Sequence, residues 1–187
     1  MQQIYLLRHA KRTSEGVLTN EGRADAKQLG VNLPQFDAVY ASDSDRAVET
    51  AELISGMKPK IDTRASFYTA PKEKSDAYNK LCKEKGIDFL EAVRIYNDPE
   101  VNEGIAKQAQ SLNEMIDELL QSSSTSILVV SHNLTMIPAI EKRGLKTNLL
   151  LDYLNGYVID GYAGIEEYLS RYLNDSHTRS IHTPQSA

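Results

Sequence analysis

Two arginines and two histidines in this sequence have the chemistry needed to bind and transfer a phosphoryl group. Arg8 and His9 are adjacent, Arg46 lies some forty residues further along, and His132 follows the most apolar run of the chain. Guanidinium groups match phosphate oxygens in geometry and charge. A neutral imidazole can attack phosphorus, which divides the transfer into formation and hydrolysis of a phosphohistidine. Together the four side chains predict a phosphate pocket whose cations offset the charge of the transferring group.

Their positions relative to the predicted strands indicate that these four residues converge. Arg8 and His9 directly follow the first strand, Arg46 opens the helix after the second, and His132 lies just past the strand with the most continuous apolar and β-branched sequence. Ligands of α/β sheets bind beyond the carboxyl ends of the strands. The three strands are predicted at residues 3–7, 36–41 and 127–130.

Strands and helices alternate along the chain, which predicts a three-layer α/β sandwich with a mostly parallel central sheet. Thr19 and the pair Asp98-Pro99 are expected to begin helices, and Gly56 to end one. The polar residues from Ser42 to Asp45 are expected to accept hydrogen bonds from the free N–H groups of the helix that follows. Helices are predicted at residues 19–30, 46–55, 73–85, 89–96, 99–121 and 165–173, and another is predicted to follow His132 and to run through residue 140. Two further strands are predicted at residues 60–62 and 157–159.

Residues 1–173 are predicted to form a single domain. Residues from about 64 to 99 depart from the strand-helix alternation, and we expect them to form a small helical cap inserted into that domain. The polar residues 174–187 are expected to be a disordered tail.

Composition excludes several other classes of protein. The 41% hydrophobic and 25% charged residues are ordinary for a globular protein and argue against disorder or membrane insertion. A net charge of -5 disfavours nucleic acid or an anionic membrane as a partner, because both are bound largely through clustered lysine and arginine. The single cysteine, Cys82, permits no internal disulfide and predicts a reducing, cytoplasmic location.

Four sequence motifs resemble the successive motifs of the histidine phosphatase (phosphoglycerate mutase-like) superfamily. The resemblance implies that His9 is the phosphorylated nucleophile, that Arg8 and Arg46 bind the phosphate, and that His132 stabilises the transferring group. It also implies the sheet-and-helix fold with a variable cap, and no metal or other cofactor. The motifs are LLRHA at residues 6–10, LTNEGR at 18–23, ASDSDRAVETA at 41–51 and VSHN at 130–133.

The chain departs from the usual family pattern in its first loop. Ala10 stands where a glycine usually follows the catalytic histidine, and the loop from His9 to Thr19 is short, without the asparagine that many members place against the phosphate. In this loop the chain resembles the small phosphohistidine phosphatases of the superfamily. Lys11 and Arg12 either extend the pocket toward a second phosphate or an acidic substrate, or are solvated loop charges.

The acid that would protonate the leaving group is not marked by a motif. In the family it is usually a carboxylate after the third strand. Glu73, which lies 27 residues after Arg46, is the predicted donor by spacing, with Asp62, Glu84 and Glu91 as alternatives. Glu73 could equally be a solvated residue at the start of a helix.

Several functions stay open at this point. The leading prediction is a metal-independent phosphatase that hydrolyses a phosphomonoester, on a small phosphorylated metabolite or a phosphoprotein. A protein phosphohistidine phosphatase is the first alternative, because its leaving nitrogen needs less help from an acid. A non-catalytic phosphate-binding regulatory module is the second. A mutase is disfavoured by the short first loop, and a metal site by the presence of only His9 and His132 beside two arginines.

Overall fold

The computed structural model describes residues 2–147, 151–161 and 164–168 of the chain. These residues form a six-stranded sheet with helices on both faces, which confirms the predicted α/β class. The strands are β1 Gln3–Arg8, β2 Ala38–Ala41, β3 Lys60–Ile61, β4 Ser126–Ser131, β5 Gly156–Asp160 and β6 Gly164–Tyr168. The α-helices are α1 Asn20–Asn32, α2 Asp45–Ser55, α3 Lys72–Lys85, α4 Phe89–Tyr96, α5 Pro99–Leu119 and α6 Asn133–Lys142, and a short 3-10 turn spans Thr63–Ala65.

The sheet has the strand order β3-β2-β4-β1-β5-β6. The first four strands of this order are parallel, whereas β5 runs antiparallel to β1 and β6 antiparallel to β5. Strand β4 lies in the centre and its apolar residues are buried on both faces, as its continuous apolar sequence predicts. Arg8 of β1 pairs with Ser131 of β4, so the chain leaves these two strands at adjacent points.

Two hydrophobic cores lie on opposite faces of the sheet and make the three layers. Helices α5 and α6 cover one face, where Met115 and Ile137 are fully buried. Helices α1 and α2 cover the other face around Leu29 and Ile54. No helix among the described residues combines the length and the apolarity needed to cross a membrane.

Helices α3 and α4 form the predicted cap and have a small core of their own. Tyr78 of α3 is 1% exposed and packs against Phe89 of α4, with 5.3 Å between the ring centroids. Val101 and Ile105 of α5 belong to the same hydrophobic cluster. The predicted start of α5 is confirmed, because the Asp98 side chain accepts hydrogen bonds from the first free N–H groups of that helix.

The predicted helix at residues 165–173 is wrong over its first four residues. Residues 164–168 form β6 instead, paired in antiparallel register with β5, and Ile165 packs against the α5 side of the core. Gly164 has φ +102°, a conformation that favours glycine, at the point where the chain enters this strand. Backbone pairing at the sheet edge thus outweighs the helix propensity of the segment. Residues 169–173 and the predicted tail at 174–187 lie outside the described residues.

The short loop after β1 is held against the first turn of α1. The Thr19 side chain accepts a hydrogen bond from Gly22 N–H at 2.9 Å, which confirms Thr19 as the N-cap, and Thr19 N–H donates to the Lys11 carbonyl at 2.9 Å. Gly22 lies so close to this loop that a Cβ atom there would stand 2.4 Å from the Lys11 carbonyl oxygen. The loop can therefore take this course only with glycine at position 22.

We expect Gly22→Ala to displace the loop that follows His9, because the added methyl group has no room beside the Lys11 backbone. The free energy of unfolding should fall by about 1–3 kcal/mol, the usual cost of overpacking. Urea unfolding measures this change. Ala24→Gly, at an exposed position of the same helix, is the matched control and should cost only about 0.5–1 kcal/mol. An alanine variant as stable as the parent chain would contradict this packing.

Candidate active site

His9 and Arg8 are fixed at the carboxyl end of β1 by neighbouring strands. His9 N–H donates to the Ser131 carbonyl at 3.1 Å, and Arg8 N–H donates to the Asn155 carbonyl at 2.9 Å. The His9 ring is 4% exposed, with its edge toward the ring of His132 and 5.1 Å between the two centroids. The sheet thus brings the two histidines of the sequence motifs face to edge.

The hydrogen bonds of His9 define which of its ring nitrogens is free to react. Nδ1 lies 2.8 Å from the carbonyl oxygen of Ala10, which can only accept, so Nδ1 carries the hydrogen. Nε2 then has the lone pair, and it accepts a hydrogen bond from Arg46 Nε at 3.2 Å. The backbone of the first loop therefore holds His9 with its nucleophilic nitrogen directed toward Arg46.

His132 is oriented by two serine hydroxyls. Its Nε2 lies 2.8 Å from Ser42 Oγ and 3.3 Å from Ser44 Oγ, and its Nδ1 lies 3.4 Å from Arg46 Nη2. Because the guanidinium can only donate, Nδ1 has the lone pair and Nε2–H donates to the serines. The prediction that this serine run caps α2 is wrong, since Ser44 occupies the N-cap position without a side-chain cap hydrogen bond.

Arg46 lies between the two histidines at the start of α2. Its guanidinium donates to His9 and reaches toward His132, and it lies over the ring of Phe67 with 5.1 Å between Cζ and the ring centroid. The same phenylalanine ring packs edge-on against His132, with 4.8 Å between centroids. Phe67 thus closes one side of the histidine pair.

Arg8 contributes the second guanidinium of the site. Its Nη1 donates to the carbonyl oxygen of Leu151, and its Cζ lies 4.2 Å from the centroid of the Tyr153 ring. Arg8 Nε is buried and has no hydrogen-bond partner among the described residues. A buried donor without a partner is rare in proteins.

Burial and the neighbouring cations keep both imidazoles neutral. Loss of solvation is the main cause that lowers the pKa of His9 to about 3, and Arg46, Arg8 and Arg12 lower it further. The pKa of His132 is lowered to about 2, again mainly by burial and then by His9 and the arginines. At neutral pH the site therefore contains charged guanidinium groups beside imidazoles that have free lone pairs.

A cleft of about 280 Å³ opens over these residues and lies under the cap. Arg12 from the first loop stands at its edge, and the cap contributes aromatic, hydroxyl and amide groups. The lining residues are Arg8, His9, Arg12, Arg46, Phe67, Tyr68, Thr69, Ala70, Ser75, Asn79, Phe89, His132, Asn133 and Leu134.

Glu73, the proton donor predicted from spacing, does not line this cleft. It is exposed in the first turn of α3. None of its alternatives lines the cleft either: Asp62 is paired with Arg64 at 2.7 Å, and Glu84 faces solvent near Lys80. Glu91, the last of them, lies in the first turn of α4. The structure therefore brings together Arg8, His9, Arg46 and His132, and leaves all four candidate acids outside the site.

Three residues of the site were not singled out from the sequence. Ser42 directly follows β2, a position that could have marked it in the same way as His9 and His132. Phe67 and Tyr153 lie in irregular segments, and Tyr153 reaches Arg8 because Leu154 N–H donates to the Arg8 carbonyl at 3.2 Å. No local sequence signal distinguishes these two aromatic residues from those of the core.

The depressed histidine pKa values predict that the protein loses stability in acid. In the unfolded chain both histidines bind a proton near pH 6.5, whereas in the folded protein they do so only near pH 3 or below. The unfolded state binds more protons in this window, so the free energy of unfolding falls as pH is lowered from about 6.5 toward 3.

The variant His132→Gln tests whether the buried neutral histidines cause the loss of stability in acid. It removes one buried imidazole and keeps an amide donor for Ser42. Between about pH 7 and pH 4.5 the variant should lose less free energy of unfolding than the parent chain, since one proton fewer is taken up on unfolding. Urea titrations at the two pH values measure the difference. Equal losses in both proteins would contradict the assignment of His132 as neutral.

Comparison with known proteins agrees with this geometry. The family model of the histidine phosphatase superfamily (branch 1) matches residues 4–143, which contain all four residues of the site. No curated protein sequence matched the chain.

Solved structures share the fold at low sequence identity. A phosphoglycerate mutase from Bacillus anthracis is 20% identical over 92% of this chain and 95% of its own, with a TM-score of 0.65. An alpha-ribazole phosphatase from Shigella flexneri is 16% identical over 89% and 96%, with a TM-score of 0.61. A phosphoserine phosphatase from Entamoeba histolytica is 15% identical over 92% and 100%, with a TM-score of 0.59. By its sequence motifs, its fold and the match over residues 4–143, the chain belongs to the histidine phosphatase superfamily.

Proposed function

We propose that this chain is a metal-independent phosphatase that hydrolyses a phosphomonoester through a phosphohistidine at His9. The observation that carries the proposal is the state of His9. It is a neutral imidazole whose Nδ1 is held by the Ala10 carbonyl and whose Nε2 accepts a hydrogen bond from Arg46, in a cleft that Arg8 also lines. A nucleophile next to cations that do not protonate it is the arrangement that phosphoryl transfer requires.

Substrate binding begins with the two arginines of the cleft floor. The phosphate oxygens accept hydrogen bonds from the guanidinium groups of Arg8 and Arg46, which both line the cleft. Arg46 then donates to the phosphate in place of His9 Nε2, so that the lone pair of His9 becomes available to phosphorus. The two guanidinium charges of Arg8 and Arg46 balance a phosphate dianion. When Arg46 donates to the phosphate in place of His9, neither of these two groups is left without an acceptor.

In the first chemical step, His9 Nε2 forms a bond to phosphorus and the bond from phosphorus to the leaving oxygen breaks. The leaving oxygen takes a proton from water as the alcohol departs. His132 Nδ1 lies beside the same guanidinium, and its ring is held by Ser42 so that it borders the transferring group. Fixed dipoles and charges of this kind stabilise the transition state without reorganisation.

In the second step, water attacks the phosphoryl group on His9 and inorganic phosphate leaves. The proton that this water gives up neutralises the hydroxide formed when the leaving oxygen took its proton from water in the first step. The bond from His9 Nε2 to phosphorus breaks, and the lone pair returns to the imidazole. Its Nδ1–H bond to the Ala10 carbonyl holds the ring in place throughout, which returns the enzyme to its starting state.

A protein phosphohistidine is the second candidate substrate. The position of Glu73 and its three alternatives outside the cleft favours a leaving group that needs no carboxylic acid from the protein. An imidazole leaves as a neutral ring when its far nitrogen has taken a proton from solvent. Phe67 and Phe89 line the cleft and offer faces against which such a ring could stack.

His9→Ala should abolish phosphate release, because it removes the proposed nucleophile, His9 Nε2. Release is measured with a metal chelator present, from sugar phosphates, nucleotides, phosphopeptides and a phosphohistidine protein. His182→Ala, which removes a histidine outside the family motifs, is the control and should retain activity. After rapid quenching in base, mass spectrometry should locate the phosphoryl group on His9, and the same adduct should be lost in acid, because acid hydrolyses the phosphorus–nitrogen bond of a phosphohistidine.

Activity that survives in His9→Ala would exclude the proposed mechanism. Binding of inorganic phosphate to the parent chain, with no release from any member of the panel, would instead indicate a regulatory module. Transfer of the phosphoryl group to another position of the same substrate, detected by product analysis, would indicate a mutase.

Ser42→Ala should lower kcat about tenfold, because His132 Nε2–H loses its 2.8 Å acceptor while Ser44 stays at the longer distance of 3.3 Å. Ser44→Ala is the matched variant and should have the smaller effect. A purely structural role for Ser42 would leave the tautomer of His132 unchanged. We therefore expect the ¹⁵N shifts of that ring to show hydrogen on Nε2 in the parent chain and a mixture of tautomers in Ser42→Ala.

A further inference from the structure

Arg12 is a cation at the edge of the cleft that the proposed mechanism does not use. It lines the cleft together with Arg8, His9, Arg46 and His132, and it is exposed to solvent. Arg12 Nη1 donates to the Thr13 carbonyl at 3.0 Å. Within the described ranges of the chain, its guanidinium forms no ion pair with a carboxylate. The adjacent cation, Lys11, is by contrast paired with Glu21 at 2.6 Å.

The backbone that carries Arg12 is held in place although the residue lies in a loop. Arg12 pairs with Leu18 through an antiparallel bridge, and Thr13 N–H donates to the Val17 carbonyl at 2.8 Å. Leu18 is 2% exposed and is part of the core on the α1 side of the sheet. The side chain of Arg12 therefore extends over the cleft from a fixed point and not from a freely moving loop.

A count of charges shows that a phosphate alone would leave the cleft positive. Arg8 and Arg46 balance a phosphate dianion, and both histidines are neutral. Among the residues that line the cleft, none of which is acidic, the charge of Arg12 then has no counter-charge. It acts on the whole site, because it lowers the pKa of Arg8, His9, Arg46 and His132 together. A second negative charge on the ligand would balance it.

The wall of the cleft that the cap provides contains neutral hydrogen-bonding groups. Ser75 and Asn79 are one turn apart on the same face of α3, and both line the cleft. Ser75 Oγ already donates to the Ala70 carbonyl at 3.1 Å, whereas an asparagine amide offers two N–H donors. An anionic group beyond the phosphate would thus meet a guanidinium on the loop side and an amide on the cap side.

We propose that Arg12 is a specificity residue that binds a second anionic group, a carboxylate or a phosphate, on the leaving part of the substrate. The proposal rests on the proposed function, because it assumes that the phosphoryl group to be transferred lies at His9. It narrows the substrate class to phosphomonoesters that carry a further negative charge a few bonds from the ester oxygen.

Three small phosphate esters, each built on a two-carbon unit, test this proposal. Phosphoglycolate carries a carboxylate where hydroxyethyl phosphate carries an uncharged hydroxymethyl group, and ethanediol bisphosphate carries a second phosphate. We expect kcat/KM to favour the carboxylate or the bisphosphate over hydroxyethyl phosphate by about fivefold to tenfold, and the preference to shrink at high salt. The more favoured of the two charged esters identifies which anion Arg12 binds.

Arg12→Gln should reduce this preference to near unity, whereas Arg12→Lys should retain part of it. Lys11→Gln is the control, because Lys11 is paired with Glu21 outside the cleft, and it should leave the preference at the value of the parent chain. A preference that is equal in the parent chain and in Arg12→Gln would overturn the proposal, and so would an equal loss in Lys11→Gln.

Calorimetry on the His9→Ala background separates this inference from the proposed function. The affinity of that protein for phosphoglycolate should exceed its affinity for hydroxyethyl phosphate, and adding Arg12→Gln should remove the difference. This result is independent of turnover, so it tests Arg12 even if no phosphate is released from any ester. Equal affinities for the two esters would overturn the assignment of Arg12 even if the protein proves to be an active phosphatase.

Discussion

The register between β1 and β4 is the constraint on which the site depends. Because Arg8 pairs with Ser131, the residues that follow each strand, His9 and His132, leave the sheet side by side. A shift of one residue would turn each side chain to the opposite face of the sheet. The register is secured far from the chemistry, by strand residues such as Leu6 and Val129 that are buried on the face covered by α5 and α6. The packing of the interior thus sets the distance between the two imidazoles.

The site is built from groups whose charged forms would repel one another. Two guanidinium groups and two imidazoles are gathered in a buried setting, and the pKa of each is lowered by burial. Hydrogen bonds to fixed acceptors, such as the Ala10 carbonyl and Ser42 Oγ, hold the rings. The stability of the rest of the domain has to offset the cost of this arrangement. An anion that enters the cleft removes much of that cost, and so the energy of assembling the site becomes energy for binding.

Much of the site could be predicted from sequence because its main residues are tied to strand ends. Arg8, His9 and His132 each lie at or just past the end of a strand whose apolar sequence is unambiguous, and the α/β topology determines where such residues gather. Glu73 was predicted in a different way, from a residue count across the cap. Such a count does not determine which way the face of a helix points. Tyr153 reaches Arg8 through a backbone contact across the sheet edge, and no local pattern encodes it. Strand β6 was missed for a similar reason, because its identity depends on its partner β5.

The separate core of the cap has a consequence for how this protein can change over evolutionary time. Ala70, Tyr78, Ala92 and Val93 form a cluster with Val101 and Ile105 of α5, although Leu90 of α4 belongs to the larger core. Arg8, His9, Arg46 and His132 lie instead on or next to β1, α2 and β4, whose buried residues belong to the two larger cores. Mutations that reshape the roof of the cleft therefore need not disturb its floor. One chemical reaction can in this way be inherited unchanged while selection adapts the shape of the molecule on which it acts.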